Sequence, residues 1–535
     1  MIKAIVNKEW LKLRFYLVSL LLICLGVFGY FFYNLNFSFS TIEPESMMWY
    51  RFVHLEQKPY YLFSYLFLII ATVVSFAQFL PEKIKNRIKI IAHLPTPLYK
   101  SISMHFVIGL FMIALLSLIL TTLVGYVVYD YYTDEIFGVM LKDFSFYLLG
   151  SYIFYMALSS AIIEESRFLS ALKLLFGVFT IFIYFKNRYY AYDMLWLFIF
   201  CLFFCMALDS FYSIKKQRLK HPLYVVSMLI GIGSIFLQAN ALYQDKYKKT
   251  FNRYYIFYSP IIKDFVYQKN FGDHRFEYGV KGKRTFNRIE YESYLPFVYW
   301  RDLDIQKKLP IVIDGVKYDK KNIKKSRLSF SYSASLLKTK EVNLYPLLNP
   351  SSNIGMIKFP ENMLQFNSSH IKVYNYDEGF NSKLSSGINS LFKAHDVKMP
   401  ITHVWGKTTN VKPYDLGYLI LDSKNRLFNL KREDSVVRLK EIIYPDGIDL
   451  VYVKISENRQ KKIAGYAIDS NSNFYILDWN FNFTKVELDG FDYKTMKLQF
   501  ISNVLYYLIR YDNGNNYSAI AFTKDLNRIK KVDMN

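Results

Sequence analysis

The sequence predicts a multi-span α-helical membrane domain of about seven helices followed by an all-β C-terminal domain whose repeat is propeller-like. Three observations predict this. The apolar residues of the 535-residue chain form long uninterrupted blocks before about Tyr243 and alternate with Lys, Asn, Asp and Tyr after it. The short loops between the apolar blocks carry a lopsided share of Lys and Arg. Short runs of β-formers separated by Asp/Asn/Gly turns dominate the second half.

A helix crosses the hydrocarbon core of a bilayer with ~20 apolar residues. Seven stretches meet that requirement: Phe15–Asn34, Tyr61–Leu80, Met104–Tyr129, Phe144–Ile163, Leu169–Phe185, Met194–Tyr212 and Leu223–Tyr243. One set of flanking segments holds 15 Lys and Arg, among them Lys3, Lys8, Lys12, Arg14, Lys83–Lys100 and Lys215–Lys220; the other holds five. The excess of positive charge marks the cytoplasmic side. It predicts a cytoplasmic N-terminus and, after seven spans, an extracytoplasmic β-rich domain, dividing the chain into residues 1–243 and 244–535. No small-residue cleavage site follows the first block, so that block is expected to remain as an anchor.

Charge and cysteine usage narrow the function classes. The net charge is +23. Residues 1–240 contribute 20 basic against 13 acidic residues, or +7, and residues 241–535 contribute 47 against 31, or +16. Such a surface suits anionic lipid, acidic polysaccharide or nucleic acid. The plainer reading is a solvated face in a Lys-rich composition, and no nucleic-acid partner is expected. Cys24, Cys201 and Cys205 all lie in apolar blocks, so no disulfide framework holds the polar domain. No Asp, Glu, Lys or Arg falls mid-span, whereas an ion-coupled carrier needs a charged site near the midplane. Gln78, Ser159, Ser160 and Gln238 fit helix-packing hydrogen bonds. Energy for any transport must come from another subunit.

Two cytoplasmic segments suggest how. Ile2, Ile5, Val6, Trp10 and Leu13 recur at helical spacing, with Lys3, Lys8, Lys12 and Arg14 between them. That pattern predicts an amphipathic N-terminal helix in the headgroup plane that runs directly into span one, with Lys8, Glu9, Trp10 and Lys12 at its centre. The second segment, Pro81–Pro95, opens on a proline with Glu82 in its first turn and closes on Leu94 and Pro95. These end signals predict a short helix with Lys83, Lys85, Arg87 and Lys89 as its basic face.

The Lys8-Glu-Trp-Leu-Lys-Leu-Arg14 stretch leading into span one resembles the start of permeases of the ABC-2 type. In that family the loop after span two begins with an acidic residue, ends in a Leu-Pro pair and forms a coupling helix that docks on an ATPase subunit. Glu82, Leu94 and Pro95 match that pattern, while Lys85, Asn86 and Arg87 fill the stretch where a glycine is often found. The resemblance covers about residues 1–215, with the seventh span as an addition that exports the C-terminal domain. It implies an exporter permease in the bacterial inner membrane that pairs with itself or a related permease. ATP hydrolysis is then expected on a separate cytosolic ATPase subunit, with the chain itself no enzyme. The alternative is a membrane-anchored sensor or assembly factor whose outer β-domain binds a partner without transport. A lipid-linked enzyme is the third reading; Glu43, Glu45, Asp130, Asp134 and Glu135 lie at the outer boundary but show no recognisable pairing.

In the second half, Gly417–Phe428, Gly465–Ile476 and Leu505–Tyr517 each read as a strand, an Asp/Asn turn and a second strand. The first two glycines lie 48 residues apart, and propeller blades repeat at ~40–50 residues. A plain sandwich is the competing architecture. The aromatic run Tyr291–Asp302 fits core packing better than ligand binding. The Gly279–Thr285 stretch lacks phosphate-loop spacing and reads as a turn between strands. With His274, His370, His395 and His403 isolated in sequence, no metal site, catalytic arrangement or cofactor site emerges.

Overall fold

The structure is a computed structural model that describes residues 2–43, 46–93, 97–186, 193–219, 221–247, 253–338 and 341–534. It divides into two compact units, Met1–Lys248 and Lys249–Asn535.

The first unit is helical: α1 (Ile2–Thr41), α2 (Phe63–Ile84), α3 (Arg87–Ala92), α4 (Leu98–Tyr131), α5 (Asp134–Ile163), α6 (Arg167–Lys186), α7 (Asp193–Ser213) and α8 (Pro222–Tyr247). All but α3 are long and apolar enough to cross a membrane, so this unit is membrane-embedded. The centre of the unit is α5, which packs against α2, α4, α6 and α7. Its buried face mixes large apolar side chains with small residues, including Gly150, Ser151, Ala157, Ser159 and Ser160, which let neighbouring backbones approach. Ser75 on α2 meets Ser159 at 3.1 Å. On the other half of α5, Phe144 packs its ring among Tyr60, Phe63, Phe67 and Tyr147. Far more of α1 and α8 is exposed than of α5.

Two sequence expectations need correction here. The N-terminal segment does run directly into span one, but without a turn into a headgroup plane: Ile2–Thr41 is one unbroken helix, 40 residues long, so Lys8–Lys12 ride on the first turns of the span itself. No glycine or proline interrupts residues 2–25, which is why the helix continues. The expected helix from Pro81 to Pro95 is also absent as one piece. Pro81 and Glu82 sit in the last turn of α2, Asn86 takes a left-handed conformation (φ 53°), and α3 starts afresh at Arg87. Asparagine tolerates that conformation better than other side-chain-bearing residues.

Among its described residues the second unit holds five antiparallel sheets of four or five strands and one two-stranded hairpin, none closed into a barrel. The first joins Tyr254–Ser259, Asp264–Asn270, Phe276–Val280 and Arg284–Phe286, and Gly282 (φ 66°) turns its last hairpin as the sequence suggests. The second joins Leu344–Leu347, Asn362–Phe366, Ile371–Asn375 and Gly379–Phe380. The third runs from His403–Trp405 through Tyr418–Leu421 and Leu427–Glu433 to Val436–Ile442. The fourth holds Leu450–Ile455, Ile463–Asp469, Phe474–Asp478 and Phe483–Val486. The fifth holds Lys497–Ser502, Tyr507–Asp512, Tyr517–Phe522 and Arg528–Met534, with the upstream strand Leu328–Tyr332 added beside Lys497–Ser502.

All three sequence-predicted hairpins form the central pair of a sheet. Alternate side chains fill the spaces between sheets. Ile256 and Phe265 meet Leu508 and Ala519; Phe500 and Ile509 meet Tyr466 and Phe474. Ala467 and Leu477 then meet Leu419 and Leu427, and Phe428 and Leu430 meet Leu364 and Val373. The sheets thus stack first on fifth, fifth on fourth, fourth on third and third on second. This is the face-to-face packing of consecutive blades and not a two-layer sandwich.

Candidate functional site

The two segments singled out in the membrane unit meet. Glu82 lies in the last turn of α2, where its negative charge opposes the helix dipole, and it is only 3 % exposed. Two cations from the first turns of α1 compensate: Lys8 Nζ lies 3.0 Å and Lys12 Nζ 3.2 Å from Glu82 Oε1. Lys12 also donates to Glu9 Oε1 at 2.7 Å and to the Gln78 carbonyl oxygen at 2.9 Å. Glu9 is fully buried, and its Oε1 lies 3.7 Å from Nε2 of His105 on α4. The Gln78 side chain completes the set, donating to the His105 carbonyl oxygen at 2.7 Å and accepting from the Tyr155 hydroxyl of α5 at 2.6 Å.

This crossing needs a glycine. A Cβ on Gly109 of α4 would stand 2.1 Å from the Tyr155 hydroxyl oxygen and 2.6 Å from Gln78 Oε1, so only glycine lets the three helices close on that pair.

A second ionic group occupies the ends of α5, α6 and α7. Glu164, 2 % exposed, accepts from Lys173 at 2.7 Å and from both terminal nitrogens of Arg218 at 2.7 and 2.8 Å. Arg218 Nη1 also donates to Asp209 at 2.9 Å. Burial pushes the Glu164 carboxyl upward, but the hydrogen bonds from Arg218 and Lys173 outweigh it and hold it at about 2. The same bond to Glu164 raises the Arg218 guanidinium above its ordinary value. Lys83 links the two groups. It donates to the carbonyl oxygens of Ile163 and Glu164 at 3.1 and 2.6 Å, satisfying acceptors at the C-terminus of α5. Beside this group a hollow of about 340 Å³ is lined by Glu165, Ser166, Ser213, Lys216, Gln217 and Arg218.

The structure therefore sorts the sequence-predicted site residues. Lys8, Glu9, Lys12 and Glu82 come together, and Lys83 is an internal tie, not part of the exposed basic face. Lys85 and Arg87 are exposed, as is Lys89, whose ammonium lies 3.8 Å from Glu165. Trp10 is 50 % exposed. Leu94 and Pro95 lie outside the described residues. Sequence reasoning missed the role of Arg218 and the pairing of Glu164 with Lys173. The available signal was opposite charges at the ends of apolar blocks assigned to one side of the membrane.

In the β-unit the aromatic run serves the core: Tyr291, Phe297 and Trp300 are buried. Among the described residues no group of His, Cys, Asp and Glu has the arrangement of a metal site.

A family model described as a domain of unknown function, DUF4857, matches residues 255–522, and the chain belongs to that family. No curated protein and no solved structure matches the chain.

Proposed function

We propose that this member of the DUF4857 family is the membrane permease subunit of an ATP-driven exporter of ABC-2 type. In this reading a separate cytosolic ATPase subunit hydrolyses ATP, and the chain pairs with itself or a related permease. Its N-terminus faces the cytoplasm of a cell bounded by this inner membrane, and the β-unit faces outward.

The observation that supports this reading is the buried linkage of the turn after α2. That turn presents Lys85 and Arg87 outward, while the residues just before it are tied inward: Glu82 to α1, Gln78 to α4 and α5, and Lys83 to the end of α5. A force applied to the exposed turn by a docked ATPase would act on four helices at once. Such a linkage is what coupling chemistry on one subunit to helix movement in another requires. The left-handed Asn86 also supplies the turn for which the resembling permeases often carry a glycine.

The test is purification of the full chain in mild detergent with mass spectrometry of what accompanies it. An ATPase subunit retained by the native chain and lost on Lys85→Glu/Arg87→Glu supports the exporter. No ATPase under conditions that keep control transporters intact overturns it and favours an anchored sensor.

A further inference from the structure

Between the first and fifth sheets the chain forms a small module that none of the above uses. It includes a short helix, Trp300–Ile305, a hairpin of Ile311–Ile313 with Val316–Tyr318, and a second helix, Lys320–Ser326. Phe297, Trp300, Ile311, Ile313 and Ile323 form its own core. Residues 300–327 carry nine Lys and Arg against four Asp, or +5.

Three of those cations converge on one indole. The Arg301 guanidinium carbon lies 5.7 Å, Lys324 Nζ 5.6 Å and the Arg327 guanidinium carbon 6.0 Å from the Trp300 ring centre. Cation–π attraction explains one such neighbour readily, but three like charges around one ring repel one another. Burial and the nearby Arg301 charge push the Arg327 guanidinium below its ordinary value. Among the described residues none of the three cations has a carboxylate partner. Carboxylates are within the module, yet Asp304 pairs with Lys320 instead. Trp300 is only 4 % exposed, and its Nε1–H is buried with no acceptor. A buried donor left unpaired is costly unless a ligand or water supplies the acceptor.

We propose that Trp300, Arg301, Lys324 and Arg327 form an oxyanion-binding site that takes a phosphate group. The three cations supply the neutralising charge, the two guanidinium groups supply paired N–H donors, and the indole N–H supplies one more. The phosphate belongs either to a lipid head group or to a soluble phosphate compound. Ile305, at the end of the same helix, is 80 % exposed, which fits contact with a lipid surface. The site stands whether or not the chain is an exporter.

The test uses the full chain in a neutral detergent at constant ionic strength. Intrinsic tryptophan fluorescence is followed during titration with inorganic phosphate, and again with mixed micelles containing phosphatidylglycerol or phosphatidylcholine. The Trp300→Phe variant, subtracted from the native signal, assigns the change to this indole. Saturable binding that weakens about tenfold in Lys324→Gln, and further in Arg301→Gln/Arg327→Gln, supports the site. Tighter binding of phosphatidylglycerol micelles than of phosphate identifies a lipid source; phosphate binding with no added effect of the lipid identifies a soluble one. Unchanged melting and circular dichroism show that the variants fold. No saturable signal in the native chain, or equal affinity in native and glutamine variants, overturns the proposal.

Discussion

The linkage between α1 and α2 makes a quantitative prediction about Lys12 and Glu82. Their charged atoms lie 3.2 Å apart, and Glu82 is nearly buried. At an effective dielectric constant of about 20 the attraction is roughly 5 kcal/mol before desolvation is counted. Two features reduce what a mutation registers. Lys12 keeps Glu9 and the Gln78 carbonyl when Glu82 is neutralised, and Lys8 is 41 % exposed and can turn to water. A double-mutant cycle with Lys12→Met and Glu82→Gln should therefore give a coupling of about 1.5–3 kcal/mol. The assay is equilibrium unfolding of the full chain in mixed micelles of mild detergent and dodecyl sulfate, read by circular dichroism. Glu9→Gln alone should destabilise more than Glu82→Gln alone, because Glu9 is wholly buried and has both Lys12 and His105 beside it. Trp10→Ala, at a half-exposed position, serves as the control. A coupling below about 0.5 kcal/mol would mean that the two helix ends do not share this charge and that α2 is not tied to α1 through it.

Three further outcomes follow from the geometry. Glu164 is held at about 2 against an ordinary value of 4.5, so the folded state gains stability that is fully present above pH 4.5 and is lost as the pH falls toward 2. Thermal melts of the native chain and Glu164→Gln should differ by up to about 3 kcal/mol at pH 7 and converge near pH 2–3. In the β-unit, Lys412 is fully buried with its ammonium 2.6 Å from Glu457 and 2.7 Å from Asp415, and also donates to the Lys407 carbonyl. Lys412→Met leaves two buried carboxylates without their cation and should destabilise the unit by about 3–5 kcal/mol, seen as loss of its share of the melting transition. Gly109→Ala should break the Gln78–Tyr155 hydrogen bond and lower the melting temperature of the full chain, whereas Gly26→Ala, with open space around it, should not.

How far these features were legible from residues alone depends on whether their causes are local. The seven spans are, because each is a block of apolar residues whose length is set by the bilayer. The three β-hairpins are also local, each fixed by two β-forming runs and the Asp/Asn turn between them. The helix ends were harder. Pro81 and Glu82 read as a start, since proline and an acidic first turn are start signals, yet they finish α2. Lys12 and Lys8, seventy and seventy-four residues upstream of Glu82, overrode the local signal. The stacking order of the sheets was equally hidden. Leu328–Tyr332 joins a sheet whose other strands begin at Lys497, and no local pattern encodes that pairing. Arg218 was read only as a topology-setting charge, because its three hydrogen bonds reach back to Glu164 and Asp209.

The misplaced carboxylate of Glu82 depends on the start of α1 being continuous with the span. An acid in the last turn of a helix is unfavourable to the dipole, and burying it adds a desolvation penalty. Among the described residues, Lys8 and Lys12, one helical turn apart on α1, offset both. A hinge between the N-terminal segment and the first span would let those lysines drift away from Glu82. The unbroken α1 and the buried Glu82 are therefore parts of one arrangement. Moving the turn at Lys85–Arg87 without moving α1 would expose or strand a buried charge, at several kcal/mol. Carrying α1 along exposes nothing. The lower-energy response to a push on the turn is thus a joint displacement of α1 and α2. The Gln78 bonds to the His105 carbonyl and the Tyr155 hydroxyl pass that displacement on to α4 and α5.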